Sequence, residues 1–406
     1  MAARPPNILW ILTTQWRAQA TSLAGDPNAR TPALASFAAG AVDFRQAVTP
    51  HPFGPFARAA LLTGVACPQN GVRDYFDPLP AGARTIAHAL GERGYATAFF
   101  GKWHLGRRDP AAAFVGEAHA RAVVPTGERG GFGFWEGFES GFLLNDPWLH
   151  GTALPQPVQF RGYQPEVLAG RLERWWREQA AASGGPWFCV LSLETPHPPY
   201  GAGAGVVPPR DPGSIDLRGN VPRGGSAEIR ARRELAGYYA HIEATDACLG
   251  RLLASPALEG SAAVVFTSVH GDMHGSHGLF RKGWPHEESV RVPLLVRAPG
   301  GEGAGSASDA PVSLLDIPEM AGAWAEGRAW KCDRNFARIS MPSVVGLPDQ
   351  CDRAWRGVRT PARKFVWGED GAPWMGFDLE RDPGEERNLA ADPDRSGEWV
   401  VWRGRA

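Results

Sequence analysis

Short apolar runs recur along the chain: NILWIL (7–12), YATAFFGKW (95–103), PWFCVLSLE (186–194), AAVVFTSVHG (262–271) and VPLLVRAPG (292–300). They are apolar on both faces, as strands covered from both sides are. Helical stretches lie between them: ARTPALASFAAGA (29–41), RAALLTG (from Arg58), TIAHALGERG (85–94) and a longer one over Ala227–Ala254. Alternation of this kind predicts an α/β fold, a central and mostly parallel sheet between helices. Ala204–Gly225, rich in Gly, Pro and Arg, reads as a surface loop, and GGEGAGSASDA (300–310) as a linker or exposed loop. Beyond it the pattern changes. FVWGED and WMGFDLERD read as antiparallel strands, which predicts a large domain over 1–305 and a small C-terminal subdomain over 306–406.

Composition narrows the function classes. The 406 residues carry a formal net charge of -1, so there is no global attraction to nucleic acid or to an anionic membrane. No apolar run approaches the ~20 residues of a membrane span. The run Ile8–Leu12 is shorter than the ~7–15-residue core of a signal peptide. It predicts a buried strand and a cytoplasmic protein. The five cysteines, Cys67, Cys189, Cys248, Cys332 and Cys351, form no CxxC pair, which predicts reduced structural thiols and no zinc site.

Candidate chemistry lies at the C-terminal ends of the predicted strands, where open α/β sheets bind ligands. Thr13, Thr14, Gln15 and Arg17 follow the first run; Lys102 and His104 close the second; His197 follows the third; His270 and Asp272 follow the fourth. Arg58 opens a helix and Lys282 lies in KGWPHEES. Cations brought to one edge repel unless an anion balances them. The aromatic segment 131–151 either walls a substrate or packs under a lid.

These motifs resemble the type I sulfatases of the alkaline phosphatase superfamily, in order and from end to end. The resemblance is carried by PNILWIL, RAALLTG, GYATAFFGKWHLG, FTSVHGDMHGSHGLFRKG with EESVRVPLLVRAPG, and FDLERDPGEERNLA. It implies the family fold, sulfate-binding roles for Lys102, His104, His197 and Lys282, and a structural role for Arg58. The departures fall in one place. The family's first strand ends in an acidic metal ligand, and here that slot is Thr14, followed by Gln15. The nucleophile, a Cys or Ser oxidised to formylglycine, stands four residues before the motif arginine. Here that position is Gly54. A later Asp-His or Asp-Asn pair has become Val269-His270.

Without a Cβ, Gly54 can form no aldehyde. Calcium takes about 6–8 oxygen ligands, several of them charged, and Thr14 and Val269 remove two carboxylates. The sequence therefore predicts no divalent metal and no cofactor. What remains is an anion pocket of Arg17, Arg58, Lys102, Lys282, Gln15 and Thr14, with His104, His197, His270 and Lys102 as the catalytic candidates. Neighbouring cations lower histidine pKa values, leaving neutral bases. The expected activity is a metal-independent reaction on an anionic small metabolite, sulfated, phosphorylated or carboxylated, such as elimination with His104 or His197 as base. Two alternatives stand beside it. One is a catalytically inactive relative that binds an anionic ligand or partner. The other is an ester hydrolase using Thr13, Thr14 or Ser268 as nucleophile.

Overall fold

The computed structural model describes residues 5–180, 184–260 and 262–406. The large sheet is built from β1 (Ile8–Thr13), β2 (Val42–Phe44), β3 (Ala96–Lys102), β4 (Phe134–Phe138), β5 (Trp148–Gly151), β6 (Val158–Gln159), β7 (Trp187–Ser192), β8 (Ala263–Ser268), β9 (Leu294–Arg297) and β10 (Ala307–Ser308). Their order across the sheet is β10-β2-β9-β8-β1-β7-β3-β4-β5-β6. The centre is parallel, as expected: β1 pairs with β7 and β8, and β3 with β7 and β4, all in parallel register. The flanks turn antiparallel, VPLLVRAPG included, because β9 runs back against β8.

The register decides where the chemistry falls. Thr13 pairs with Ser268, Leu12 with Ser192, and Gly101 with Ser192. Four central strands, β1, β3, β7 and β8, therefore end nearly level, and the residues after them emerge side by side. Every residue of β1, β7 and β8 is buried, which explains runs that are apolar on both faces.

Helices cover both sides. They include α1 (Pro32–Ala38), α2 (Gly54–Thr63), α3 (Ile86–Gly91), α4 (Gln164–Trp175) and α5 (Ser226–Leu253). In α2 all residues from Gly54 to Leu62 are buried, so this helix runs through the core. Gly64 ends it at φ 70°, in the left-handed conformation that glycine adopts without Cβ strain.

The four-stranded antiparallel sheet is β11 (Ala337–Met341), β12 (Trp355–Arg359), β13 (Arg363–Gly368) and β14 (Pro373–Asp378). The expected division at 305 falls before residues that still attach to the large sheet. β10 pairs with β2, and α6 (Ile317–Ala325) buries Ile317 and Met320 in the core that holds Trp10 and Leu61. The small sheet begins at Ala337 and shares that core through Ile339, Trp355 and Val366. A buried charge cluster adds to the joint. Lys364 Nζ donates to Glu385 Oε1 at 2.6 Å and to the Pro285 carbonyl at 2.8 Å, and meets Glu287 Oε1 at 2.9 Å. Arg359 Nη2 donates to Glu287 Oε2 at 2.9 Å.

The aromatic segment 131–151 is largely neither wall nor lid. It forms β4 and β5, and Phe134, Trp135 and Phe138 are buried in the two faces of the sheet. Only Phe142 of this segment reaches the cavity described next.

Candidate active site

A cavity of about 330 Å³ opens at the level ends of the parallel strands. Thr14, Gly54, Lys102, His104, His197 and His270 line it, with Lys282 beside them. The sequence-predicted residues are thus brought together by β1, β3, β7, β8 and the start of α2. A larger cavity, about 740 Å³, lies between the end of α2 and the small sheet and holds His51 and Cys67. Its groups are chemically idle. Burial pushes the Cys67 thiol up to about 12. His51 Nε2 accepts the Cys67 backbone N–H at 2.9 Å, and its Nδ1 faces the Ser340 carbonyl at 3.2 Å.

Gly54 is the first residue of α2, and its neighbours crowd the place of a side chain. A Cβ there would lie 2.9 Å from His104 Nδ1 and 3.6 Å from Arg58 Nη1. Contacts under about 3 Å to a Cβ require movement, so the His104 ring occupies space where a side chain at position 54 would begin. His104 sits at φ 58°, a strained region for a side chain with a Cβ, costing on the order of 1 kcal/mol. Glu139 holds that turn: its carbonyl accepts His104 N–H at 2.9 Å, and its carboxylate accepts Leu105 and Gly106 N–H at 3.2 and 2.8 Å.

Arg58 is buried behind Gly54. Its Nη2 donates to Thr14 Oγ1 at 2.9 Å, while Nε and Nη1 have no partner. Burial lowers its pKa to about 10 against the pull of Glu194 and Glu139. His104 Nδ1 and His270 Nε2 are also buried and unpartnered.

The two lysines differ. Lys102 Nζ donates to Glu194 Oε1 at 2.6 Å, with both side chains almost fully buried. Glu194 was not among the sequence-predicted site residues, although an acidic residue closing the run CVLSLE was its signal. Lys282 Nζ donates to Gln15 Oε1 at 2.6 Å and lies 3.2 Å from His197 Nε2. Burial lowers the Lys102 ammonium to about 8 and draws Lys282 well below the usual lysine range.

The histidine rings are held neutral. Burial first, then the nearby cations, place His104, His197 and His270 well below 6.5. Their hydrogen bonds separate their roles. His270 Nδ1 lies 2.9 Å from the Gly271 carbonyl. A carbonyl only accepts, so Nδ1 carries the proton and the unpartnered Nε2 carries the lone pair. His197 Nδ1 is fixed in the same way by Pro198 O at 2.7 Å, but its Nε2 faces Lys282.

Calcium, implied by the family resemblance, does not fit these donors. Gln15 Oε1 accepts Lys282, whose ammonium would repel a dication. The carboxylate of Asp272 accepts Gln15 Nε2, Tyr200 OH at 2.7 Å, and the His274 and Arg281 backbone N–H groups at 3.0 and 3.1 Å. Among the described residues no group of three or more His, Cys, Asp or Glu is placed to hold a metal ion.

Arg17 is not brought to the cavity. It is buried against α5, its Nη2 donating to Tyr239 OH at 3.2 Å and its backbone N–H to Tyr238 OH at 3.0 Å. The left-handed backbone at Gln15, φ 68°, turns the chain there and sends the next side chains toward other elements. Thr13 Oγ1 donates to Thr267 O at 3.2 Å, and Ser268 Oγ bridges Trp16 N–H at 3.0 Å and His270 O at 2.9 Å. Both hydroxyls are engaged by backbone. Thr14 does face the cavity, with Oγ1 donating to Leu193 O at 2.9 Å.

Comparison with known proteins identifies the family. The sulfatase family model matches residues 6–327, and the chain belongs to that family. It is 32% identical to an ulvan-active sulfatase of Formosa agariphila over 96% of this chain and 78% of the relative. It is 27% identical to a choline-sulfatase of Rhizobium meliloti over 97% of this chain and 84% of that one. Among solved structures, a sulfatase named yidJ from Bacteroides fragilis superposes with TM-score 0.84 at 23% identity, covering 100% of this chain and 95% of that one. A phosphonate monoester hydrolase of Agrobacterium radiobacter gives 0.73 at 22%, covering 98% and 94%. At these identities the two structures speak for the fold alone. No helix among the described residues is long and apolar enough to cross a membrane.

Proposed function

We propose that this protein is an enzyme that acts, without a bound divalent cation, on a small molecule bearing a sulfate, phosphate or carboxylate group. The observation that carries the reading is a set of unsatisfied buried nitrogens in and beside the cavity: Arg58 Nη1 and His104 Nδ1 next to Gly54, together with Arg58 Nε and His270 Nε2. Leaving buried donors unpaired costs about 1–3 kcal/mol each. An oxyanion seated beside Gly54 removes that cost for Arg58 and makes charge-assisted hydrogen bonds.

Elimination fits these groups. His270 Nε2 takes a proton from carbon, and the C–H electron pair becomes the new double bond. The C–O bond to the ester oxygen breaks, and sulfate or phosphate leaves with that pair toward Arg58. Of the histidines, His270 has a fixed tautomer with a free lone pair, whereas Nε2 of His197 is turned to Lys282. A positioned base contributes roughly 10²–10⁴-fold. A second reading, anion binding without turnover, draws on Lys102: Glu194 already matches its charge, so it lends little to a leaving group.

The test is turnover of sulfate and phosphate esters in EDTA, followed by mass spectrometry. Turnover that survives EDTA and falls about 100-fold or more in His270→Gln supports the proposal. Turnover that depends on added calcium overturns it. Thermal stabilisation by sulfate with no ester turned over selects the second reading.

A further inference from the structure

Beside Gly54 lie the unpartnered His104 Nδ1 and Arg58 Nη1. The rest of the lining combines aromatic and aliphatic carbon with Arg281, Lys282, Asp349 and Gln350. The Phe53 ring meets Tyr75 edge-on at 5.5 Å and 87°, and Tyr75 lies 6.1 Å from Phe114. Phe142 stacks on His197 at 4.5 Å and 10°, with Lys102 Nζ 4.5 Å from its centroid. Pro199, Leu347 and Pro348 continue this lining.

On the Lys282 side, Asp349, Arg281 and the Gln350 side-chain oxygen are already engaged. Asp349 accepts Arg230 at 3.0 and 2.7 Å. Arg281 donates to Glu234 at 2.6 and 3.1 Å. Gln350 Oε1 accepts the Lys282 backbone N–H at 3.2 Å. A sugar ring entering here would bring hydroxyls against the aromatic and aliphatic side chains and against charges that are already paired. Each hydroxyl buried without a partner costs roughly 1–3 kcal/mol. An aromatic ring loses nothing of that kind and gains apolar burial and edge-to-face contact. The volume, about 330 Å³, lies near the lower end of the ~300–1,000 Å³ range of small-molecule sites. That suits one ring and its anionic arm.

We infer that the ligand is an arylalkyl sulfate or phosphate: one aromatic ring, joined through saturated carbon to a single oxyanion ester, and not a saccharide. The inference rests on the reading above for where the anion sits. The saturated link follows from the proposed chemistry. A base needs a C–H bond to break, and an adjacent ring delocalises the electron pair released from a benzylic carbon.

The experiment is isothermal titration in EDTA with inorganic sulfate, 2-phenylethyl sulfate and glucose 6-sulfate. We expect 2-phenylethyl sulfate to bind about tenfold or more tighter than inorganic sulfate, which corresponds to roughly 1.4 kcal/mol, and glucose 6-sulfate to bind no tighter than inorganic sulfate. Phe114→Ala, or Leu347→Asn as a second variant, lowers the aryl-to-inorganic ratio. Glucose 6-sulfate binding as tightly as the aryl ester, or a ratio unmoved in both variants, overturns the inference while the anion site stands. If none of the three binds, the anion site itself fails, and the proposed function with it.

Discussion

Two buried charge clusters in this molecule obey the same electrostatics and end in opposite states. Around Lys364 the charges alternate: Glu287 and Glu385 face the lysine, Arg359 faces Glu287, and Arg218 donates to Glu288 at 3.1 Å. Around Arg58, Lys102 has its own carboxylate in Glu194, Lys282 contacts neutral groups, and two of the arginine's nitrogens have no hydrogen-bond partner. Charge matched within the chain joins two sheets. Charge left unmatched beside a cavity is what the proposed anion seat rests on. The larger cavity beside His51 has room, but both nitrogens of that ring are already engaged.

The comparison breaks most visibly at Lys364. Lys364→Met leaves Glu287 and Glu385 buried without their shared cation, and should cost about 3–5 kcal/mol of stability, read by urea unfolding. A loss under about 1 kcal/mol would mean that the cluster does not join the sheets. Arg58→Met should behave differently. It removes a cation with no carboxylate in contact and two unpaired nitrogens, so unfolding free energy should not fall below that of the parent. Stabilisation by sulfate, about 2.7 kcal/mol at 100 times Kd, should vanish. An Arg58→Met protein still stabilised by sulfate would remove the unmatched charge from the argument.

Acid should act next. Burial lowers His51, His241 and His274 to about 4, against a usual value of 6.5. The unfolded chain binds these protons first. The stability is therefore present above pH ~6.5 and is lost as pH falls toward 4, on the order of 1–2 kcal/mol per histidine by pH 5. Thermal unfolding between pH 7 and 5 measures it, and a melting temperature that does not fall would contradict it. The smallest effect concerns Gly54. Gly54→Ala places a Cβ against His104, and the resulting cost, roughly 1–3 kcal/mol for overpacking, is partly offset by about 0.5–1 kcal/mol of helix propensity. The double variant Gly54→Ala/His104→Ala should recover the difference. Purely additive stabilities would show that the ring does not fill the vacated space.

Much of this was readable along the chain because it depends on local pattern. Two-sided apolar runs announced buried parallel strands, and their ends announced the edge where Lys102, His104, His197 and His270 meet. Gly54 declared itself by spacing from Arg58. Pairing across the sheet was not readable. Glu194 lies far from Lys102 in sequence and reaches it because β3 and β7 are neighbours. Arg17 carried the same signal as Arg58, yet the turn at Gln15 delivers it to Tyr239. The aromatic wall was also hidden, since Phe53, Tyr75, Phe114 and Phe142 come from four separate segments, and the conspicuous aromatic run 131–151 went mostly into β4 and β5.

By itself the sequence determined the strands, the order of the motifs and the glycine four residues before Arg58, because each is set by residue type and spacing within a few turns of chain. The tertiary structure alone decided which charges are matched. Matching is a property of distances between side chains from different strands, and in a buried, weakly screening interior an ångström or two separates an ion pair from an open binding site.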